Sequence, residues 1–243
     1  MQELFQAILY QPIFNALVAL YNVIPDVGVG ILIITIIIKF ALYPLTNISL
    51  KSQKKLTDIQ PKLAELKKKY KDDKQTLAAE TMKMYKESNV NPLSSCLPML
   101  LQLPVFLALF WVLKDSLGTT DFSLLYSFVS APEVLDPMSL GFIDLSKSNI
   151  VLAVLAGAAQ FWQAKMMQTK KAPKVAGEGA KDENMLSSMN KQMLYFMPVL
   201  TVIIGMQLAG GVALYWFLST LLTALQQLFI LKRDKKSEVE VIS

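Results

Sequence analysis

The chain has 243 residues, 53% of them hydrophobic and only 18% charged, with a mean hydropathy of +0.40 and a formal net charge of +5. That balance excludes an ordinary soluble domain and fits a multi-pass membrane protein. Histidine is absent and Cys96 is the single cysteine, which excludes an intramolecular disulfide framework and a Cys/His metal site; Cys96 itself reads as a small buried apolar residue.

Residues 1–27 open the chain. Phe5, Ile8, Leu9, Ile13, Leu17, Leu20 and Ile24 recur near helical spacing, with Gln2, Glu3, Gln6, Gln11 and Asn15 opposite and Pro12 breaking the run. This pattern predicts an extracytoplasmic amphipathic helix lying in the membrane interface; a further span is the alternative, which Pro12 and the polar face disfavour. The stretch lacks a basic start and a small-residue cleavage site, so it is expected to be retained.

Five apolar segments follow, predicted as transmembrane helices at 28–50, 91–114, 149–168, 193–209 and 212–231. A span needs about 20 residues to cross roughly 30 Å of hydrocarbon. The fourth segment is short, which implies a partly polar start or a locally thinned bilayer. "AGG" at 209–211 is too small for more than a tight turn between the last two spans.

The connections set the orientation. Residues 51–87 hold eleven lysines against six acids, the 169–192 loop holds Lys170, Lys171, Lys174, Lys181 and Lys191, and the 232–243 tail holds Lys232, Arg233, Lys235 and Lys236. Residues 115–148 hold Lys147 alone against Asp115, Asp121, Glu133, Asp136 and Asp144. Lysine and arginine stay in the cytosol, so the amino end is expected outside and the carboxyl end inside, in a cytoplasmic (plasma) membrane.

The 51–90 segment has an order of its own. Leu56, Ile59, Leu63, Leu66 and Tyr70 form one apolar seam, "KDDK" at 71–74 a turn, and Ala78, Met82 and Tyr85 a second seam. This predicts an antiparallel cytosolic helical hairpin, with Pro61 starting or kinking its first arm. Its lysines read as a solvated face, or as a contact with a membrane surface or ribosomal RNA; nothing points to sequence-specific nucleic acid.

Polar groups inside the apolar runs carry the functional signal. Lys39 lies about ten residues into the first span, roughly 15 Å deep at 1.5 Å per residue. A lysine there costs about 2.5 to 3.5 kcal/mol on insertion scales. Thr35, Tyr43 and Thr46 share its side of a continuous helix, which should therefore face the protein interior. The second span offers Ser95 and Gln102, the third Gln160 and Gln163, the fifth Tyr215, Ser219, Thr223 and Gln226. No span holds a carboxylate, so Lys39 has no evident ion-pair partner, and an unpaired charge facing hydroxyls and amides suggests a hydrated cavity. Singly, the glutamines could merely join helices. Met185, Met189, Met193 and Met197, four apart, with Met166 and Met167, could line an adaptable apolar surface or face lipid.

The absence of GxSxG, HExxH and a glycine-rich phosphate loop leaves familiar enzyme chemistry without residues, and no cofactor is expected. A solute transporter or channel would share the buried charge, yet inverted repeats and paired ionisable groups are not visible.

Four pieces, "IIIKFALYPLT" (36–46), "QPKLAELKKKYKDDK" (60–74), "MKMYKESNVNPLSSCLPMLLQLPVFLALF" (82–110) and "GVALYWFLS" (211–219), resemble the YidC-type membrane protein insertases in order and spacing. The resemblance implies an all-α fold of five transmembrane helices around a hydrophilic groove, open to cytosol and lipid and closed toward the outside. Lys39 stands where such members usually carry arginine, keeping the charge but not the planar five-donor fork. Gln102, one of Gln160 and Gln163, Tyr215 and Trp216 look similar to other groove positions, and Thr35, Tyr43 and Ser219 join them by spacing. The hairpin tip, Lys67, Lys68, Lys69, Tyr70, Asp72, Asp73 and Lys74, would recruit substrate. Implied partners are nascent membrane proteins, the ribosome, the targeting particle and its receptor, the Sec translocon and membrane lipids. A large extracytoplasmic domain and a long basic tail are not expected here.

Overall fold

The computed structural model describes residues 2–89, 91, 97–117, 121–167 and 192–242. It is mostly helical. In chain order the elements are α1 (Gln2–Phe5), a π-helical turn (Gln6–Tyr10), α2 (Gln11–Val23), α3 (Val27–Ala41), α4 (Tyr43–Asp58), α5 (Gln60–Lys69), α6 (Lys74–Glu87) and α7 (Leu97–Ser116). A two-stranded hairpin, β1 (Met138–Ser139) and β2 (Ile143–Asp144), precedes α8 (Ile150–Met166), a second π-helical turn (Gln192–Phe196), α9 (Met197–Gly205) and α10 (Gly210–Ile242).

Local chemistry places the boundaries. Asp26 caps α3 by accepting from the Val29 backbone N–H, Asp73 caps α6 through Thr76, and Asn149 caps α8 through Val151 and Leu152. Proline sits in the first turn of α2, α4, α5 and α9, where its missing N–H costs nothing.

Pro44 has a larger consequence. It cannot donate back to the preceding turn, the helix breaks at Leu42, and α3 and α4 meet at a bend of 69°. The expected first span at 28–50 is thus two helices, and α4 continues without interruption to Asp58, past the expected boundary at 50. Pro61 begins α5, and α5 and α6 form the hairpin's two arms, turning at residues 70–73.

The core gathers α2, α3, α7, α10 and the segment around the β-hairpin. Leu17, Val18, Val27, Ile31, Leu109, Val112, Leu135, Leu145 and Ala213 are wholly out of solvent. Large apolar side chains also point outward: Phe40 is 81% exposed, Phe229 71% and Val151 62%. An outward-facing apolar surface of that kind suits hydrocarbon rather than water.

By length and composition Glu3–Val23 and Gly210–Lys232 are long and apolar enough to cross a membrane, as is the bent α3–α4 pair if taken as one span. Along the first of these, polar groups bind the 121–136 loop. Gln11 and Asn15 donate to the Leu124 carbonyl at 3.1 and 3.0 Å, Asn15 accepts from the Tyr126 N–H at 2.6 Å, and Asn22 donates to the Ser130 carbonyl at 2.7 Å.

Candidate functional site

Where α3, α4, α7, α8 and α10 converge lies a cavity of about 420 Å³. Lys39 enters it from the end of α3 and Thr46 from the first turns of α4; Gln102 and Phe106 enter from α7, and Gln160 and Gln163 from α8. From α10 come Tyr215, Trp216, Ser219, Thr220 and Thr223, at the three- and four-residue spacing that keeps side chains on one helix face. Leu42, Leu101 and Leu103 complete a lining that, among the described residues, contains no carboxylate.

Gln102 organises the interior. Its Oε1 accepts from Lys39 Nζ at 3.1 Å and from the Ser219 hydroxyl at 3.1 Å, while its Nε2 donates to the Tyr215 hydroxyl. Lys39 Nζ donates a second bond, to Thr223 Oγ1 at 2.9 Å, and that hydroxyl in turn donates to the Ser219 carbonyl at 2.8 Å. An ammonium has three donors and two are engaged, both by neutral groups. When protonated, Lys39 is stabilised among the described residues by dipoles alone, and its third donor is open to an anion. The mixed wall matters too. Phe106 meets Trp216 edge-on at 5.4 Å and lies 6.3 Å from Tyr215, so an aromatic surface adjoins the polar one.

Both α8 glutamines reach the cavity, in different roles. Gln160 accepts a hydrogen bond from Thr201 of α9, whereas the Gln163 backbone carbonyl accepts from Gln227 Nε2 at 3.3 Å. Gln227 is 1% exposed, and its Oε1 has no hydrogen-bond partner among the described residues.

Thr35 and Tyr43 do not line the cavity. Thr35 is fully buried and donates to its own helix at the Ile31 carbonyl, 2.6 Å away. Tyr43 follows the break at Leu42, which takes it off the line that 35, 39 and 43 would share in a continuous helix; it is 49% exposed. Phe106 and Leu42 are apolar residues in apolar runs and give no signal, and Thr220 falls one position off the 215–219–223 line. Ser95, Cys96, Met185 and Met189 lie outside the described residues, as does all of the 169–192 loop except Gln192.

At the hairpin tip, Lys68, Lys69, Asp72, Asp73 and Lys74 are exposed, and Lys67 and Tyr70 half-buried. Lys69 Nζ lies 5.1 Å from the centre of the Tyr70 ring. The Thr76 hydroxyl and backbone N–H hold the Asp73 carboxyl below its ordinary range.

Comparison with known proteins supplies an independent line. The model of the 60Kd inner membrane protein family matches residues 19–238. The membrane protein insertase YidC of Fusobacterium nucleatum subsp. nucleatum is 37% identical over 206 residues, covering 85% of this chain and 86% of the relative. That of Mannheimia succiniciproducens is 32% identical over 229 residues, covering 93% of this chain and 37% of the relative. A crystal structure of an active YidC insertase with its first transmembrane domain resolved aligns with a TM-score of 0.58 at 25% identity, over 89% of this chain and 45% of that one.

Proposed function

Since the chain belongs to the 60Kd inner membrane protein family, that of the YidC membrane protein insertases, we propose that it inserts nascent membrane proteins into the cytoplasmic membrane by way of the cavity around Lys39. One observation carries the reading: a lysine amid apolar helices which, among the described residues, bonds only to neutral Gln102 and Thr223 and shares its cavity with no carboxylate.

The physical task is to carry a short hydrophilic segment across while the adjoining apolar segment moves into lipid. Each polar group stranded in hydrocarbon costs several kcal/mol. A hydrated groove shortens the apolar distance, and the free donor of Lys39 attracts acidic side chains in the passing segment. The aromatic wall of Phe106, Tyr215 and Trp216 offers the apolar segment a surface on its way to lipid. Partitioning and the membrane potential drive the process, and no step needs a cofactor.

In this reading five spans surround the groove, the 115–148 segment lies outside, and the α5–α6 hairpin and the tail lie in the cytosol. The amino-terminal helix rests in the interface. Its bonds to a loop carrying Asp121, Glu133 and Asp136 support this, because a spanning helix would drag those carboxylates into hydrocarbon. The exposed hairpin tip recruits substrate, and the partners are ribosome-bound nascent chains, the targeting particle and its receptor, and the Sec translocon.

The test is site-specific photocrosslinking of a stalled single-span nascent chain to probes at Lys39, Gln102 and Trp216, with insertion scored for two variants. Lys39→Arg is expected to insert normally. Lys39→Ala is expected to lose on the order of tenfold, about 1.4 kcal/mol, for substrates with acidic translocated tails. Crosslinks confined to lipid-facing positions, with normal insertion by Lys39→Ala, would refute the groove. Solute flux through vesicles without any nascent chain would instead favour a transporter.

A further inference from the structure

Asp26 does more than cap a helix. Its Oδ1 accepts from the Val29 backbone N–H at 3.1 Å and from the Ser139 hydroxyl at 2.7 Å, and its Oδ2 accepts from the Leu140 backbone N–H at 2.7 Å. Capping α3 needs one oxygen. The remaining bonds reach the tip of the β-hairpin, more than a hundred residues away in the chain. Burial alone would raise the carboxyl, but hydrogen bonds from Leu140, Ser139, Val29 and Gly28 outweigh it and hold the group below its ordinary 3.8, ionised.

The hairpin is itself under constraint. Leu140 at its turn has φ 53°, beside Gly141 at φ 77°. A leucine in the left-handed region persists only where its surroundings over-determine it, and the bond to Asp26 is such a constraint. The fit is close: a Cβ placed on Gly28 would stand 2.9 Å from Ser139 Cβ.

The same segment holds a second helix. The Gly210 N–H donates to the Lys147 carbonyl at 2.7 Å and the Gly211 N–H to the Leu145 carbonyl at 2.9 Å, at the start of α10. Leu145 and Leu135 are fully buried in the core between them. One piece of chain thus bridges the helix that ends in Lys39 and the helix that carries Tyr215, Ser219 and Thr223.

We propose that Asp26 is a positioning residue, clasping the 138–144 hairpin across the outer ends of α3 and α10, so that Lys39 stays within bonding distance of Thr223 and the outer end of the cavity stays shut throughout insertion. The proposal rests on the reading of that cavity as the insertion groove and of the hairpin as extracytoplasmic.

The test uses the full chain in a Cys96→Ala background, reconstituted in vesicles. Thr35→Cys, buried on α3 between the clasp and Lys39, serves as a probe for a membrane-impermeant maleimide added from the outside. Asp26→Ala is expected to raise its labelling rate on the order of tenfold. Asp26→Asn keeps the volume but turns a donor toward either the Leu140 or the Val29 N–H, and is expected to give an intermediate rate; it carries this arm if the alanine variant does not fold. Labelling that ignores both substitutions overturns the proposal.

Insertion of a single-span substrate is measured in parallel. Asp26→Ala is expected to cut it several-fold. Ser139→Ala, which removes the hydroxyl that donates to Asp26, is expected to reproduce part of that loss, and in the Asp26→Ala background to add little to it. Losses that simply add in the double variant, or normal insertion by both single variants, overturn the proposal. Labelling needs no substrate. If it follows Asp26 while the parent protein inserts nothing, the insertase reading falls and the closure of the outer end by Asp26 stands.

Discussion

Tyr215 shows how much of the site depends on one hydroxyl. The side chain is 1% exposed, and its oxygen accepts from Gln102 Nε2, which fixes the amide with its Oε1 toward Lys39 and Ser219. Tyr215→Phe leaves the Gln102 donor unpaired and frees the amide to turn. The expected loss is about 1 to 3 kcal/mol, the range between a net hydrogen bond and a stranded donor. At this chain length that corresponds to a fall in Tm of roughly 2–4 °C per kcal/mol, read by thermal unfolding in detergent. An unchanged Tm would mean that Gln102 is not oriented by the tyrosine. Lys39 and Gln102 are legible in the sequence because a polar group in an apolar run must have a reason. Their bonding is not, since the partners of Lys39 lie 63 and 184 residues away in the chain. Thr35 misleads in the other direction: its hydroxyl satisfies itself on its own helix, an outcome that spacing alone does not separate from facing a cavity.

Among the elements, α8 and α9 are readable as apolar segments but not as a matched pair. Their contact is built from small residues. A Cβ on Gly157 would stand 2.5 Å from Val202 Cγ2 and 2.9 Å from the Pro198 carbonyl oxygen, and one on Gly205 would stand 3.0 Å from Ala153 Cβ. Helices in lipid associate through this kind of close approach, because hydrocarbon gives apolar side chains no reason to seek one another. Ala153 and Gly157, four apart, were the available signal. Gly157→Ala meets backbone as well as side chain and is expected to cost about 1 to 3 kcal/mol, by forcing α8 from α9. Gly30→Ala meets only the tip of Leu17 at 3.0 Å and is expected to cost less. Comparing the two Tm values decides the matter, and equal losses would mean that the α8–α9 contact can relax. The bend at Leu42 belongs to this scale as well. Pro44 is plain in the sequence, but a proline within two residues of a helix start and one that breaks a continuous helix read alike until the helix before it is placed. That ambiguity lets spacing alone place Tyr43 on the cavity side, from which the break at Leu42 removes it.

Over the whole molecule the described helices do not match one another in length. Gly210–Lys232 is 23 residues, about 35 Å at 1.5 Å per residue, more than the roughly 30 Å of a bilayer core. Ile150–Met166 is 17 residues, about 25 Å, and Leu194–Gly205 only about 18 Å. The two short helices pack on each other, and Gln160 and Gln163 on the first of them line the cavity. On the proposed reading, in which both helices span, lipid beside that pair thins to cover it, at a cost of a fraction of a kcal/mol per Å of mismatch. Thinning there would shorten the hydrocarbon path of a polar segment leaving the proposed groove, so that the bilayer's own dimensions enter the insertion barrier. Insertion of one substrate into vesicles whose acyl chains lengthen from myristoyl to erucoyl is therefore expected to slow steadily, since thicker membranes resist the deformation and lengthen the polar segment's path. Lys39→Ala acts on charge and not on thickness, so it should lower the whole series without changing its slope. Rates that ignore chain length would show that the segment crosses inside the protein, with the bilayer no part of the path.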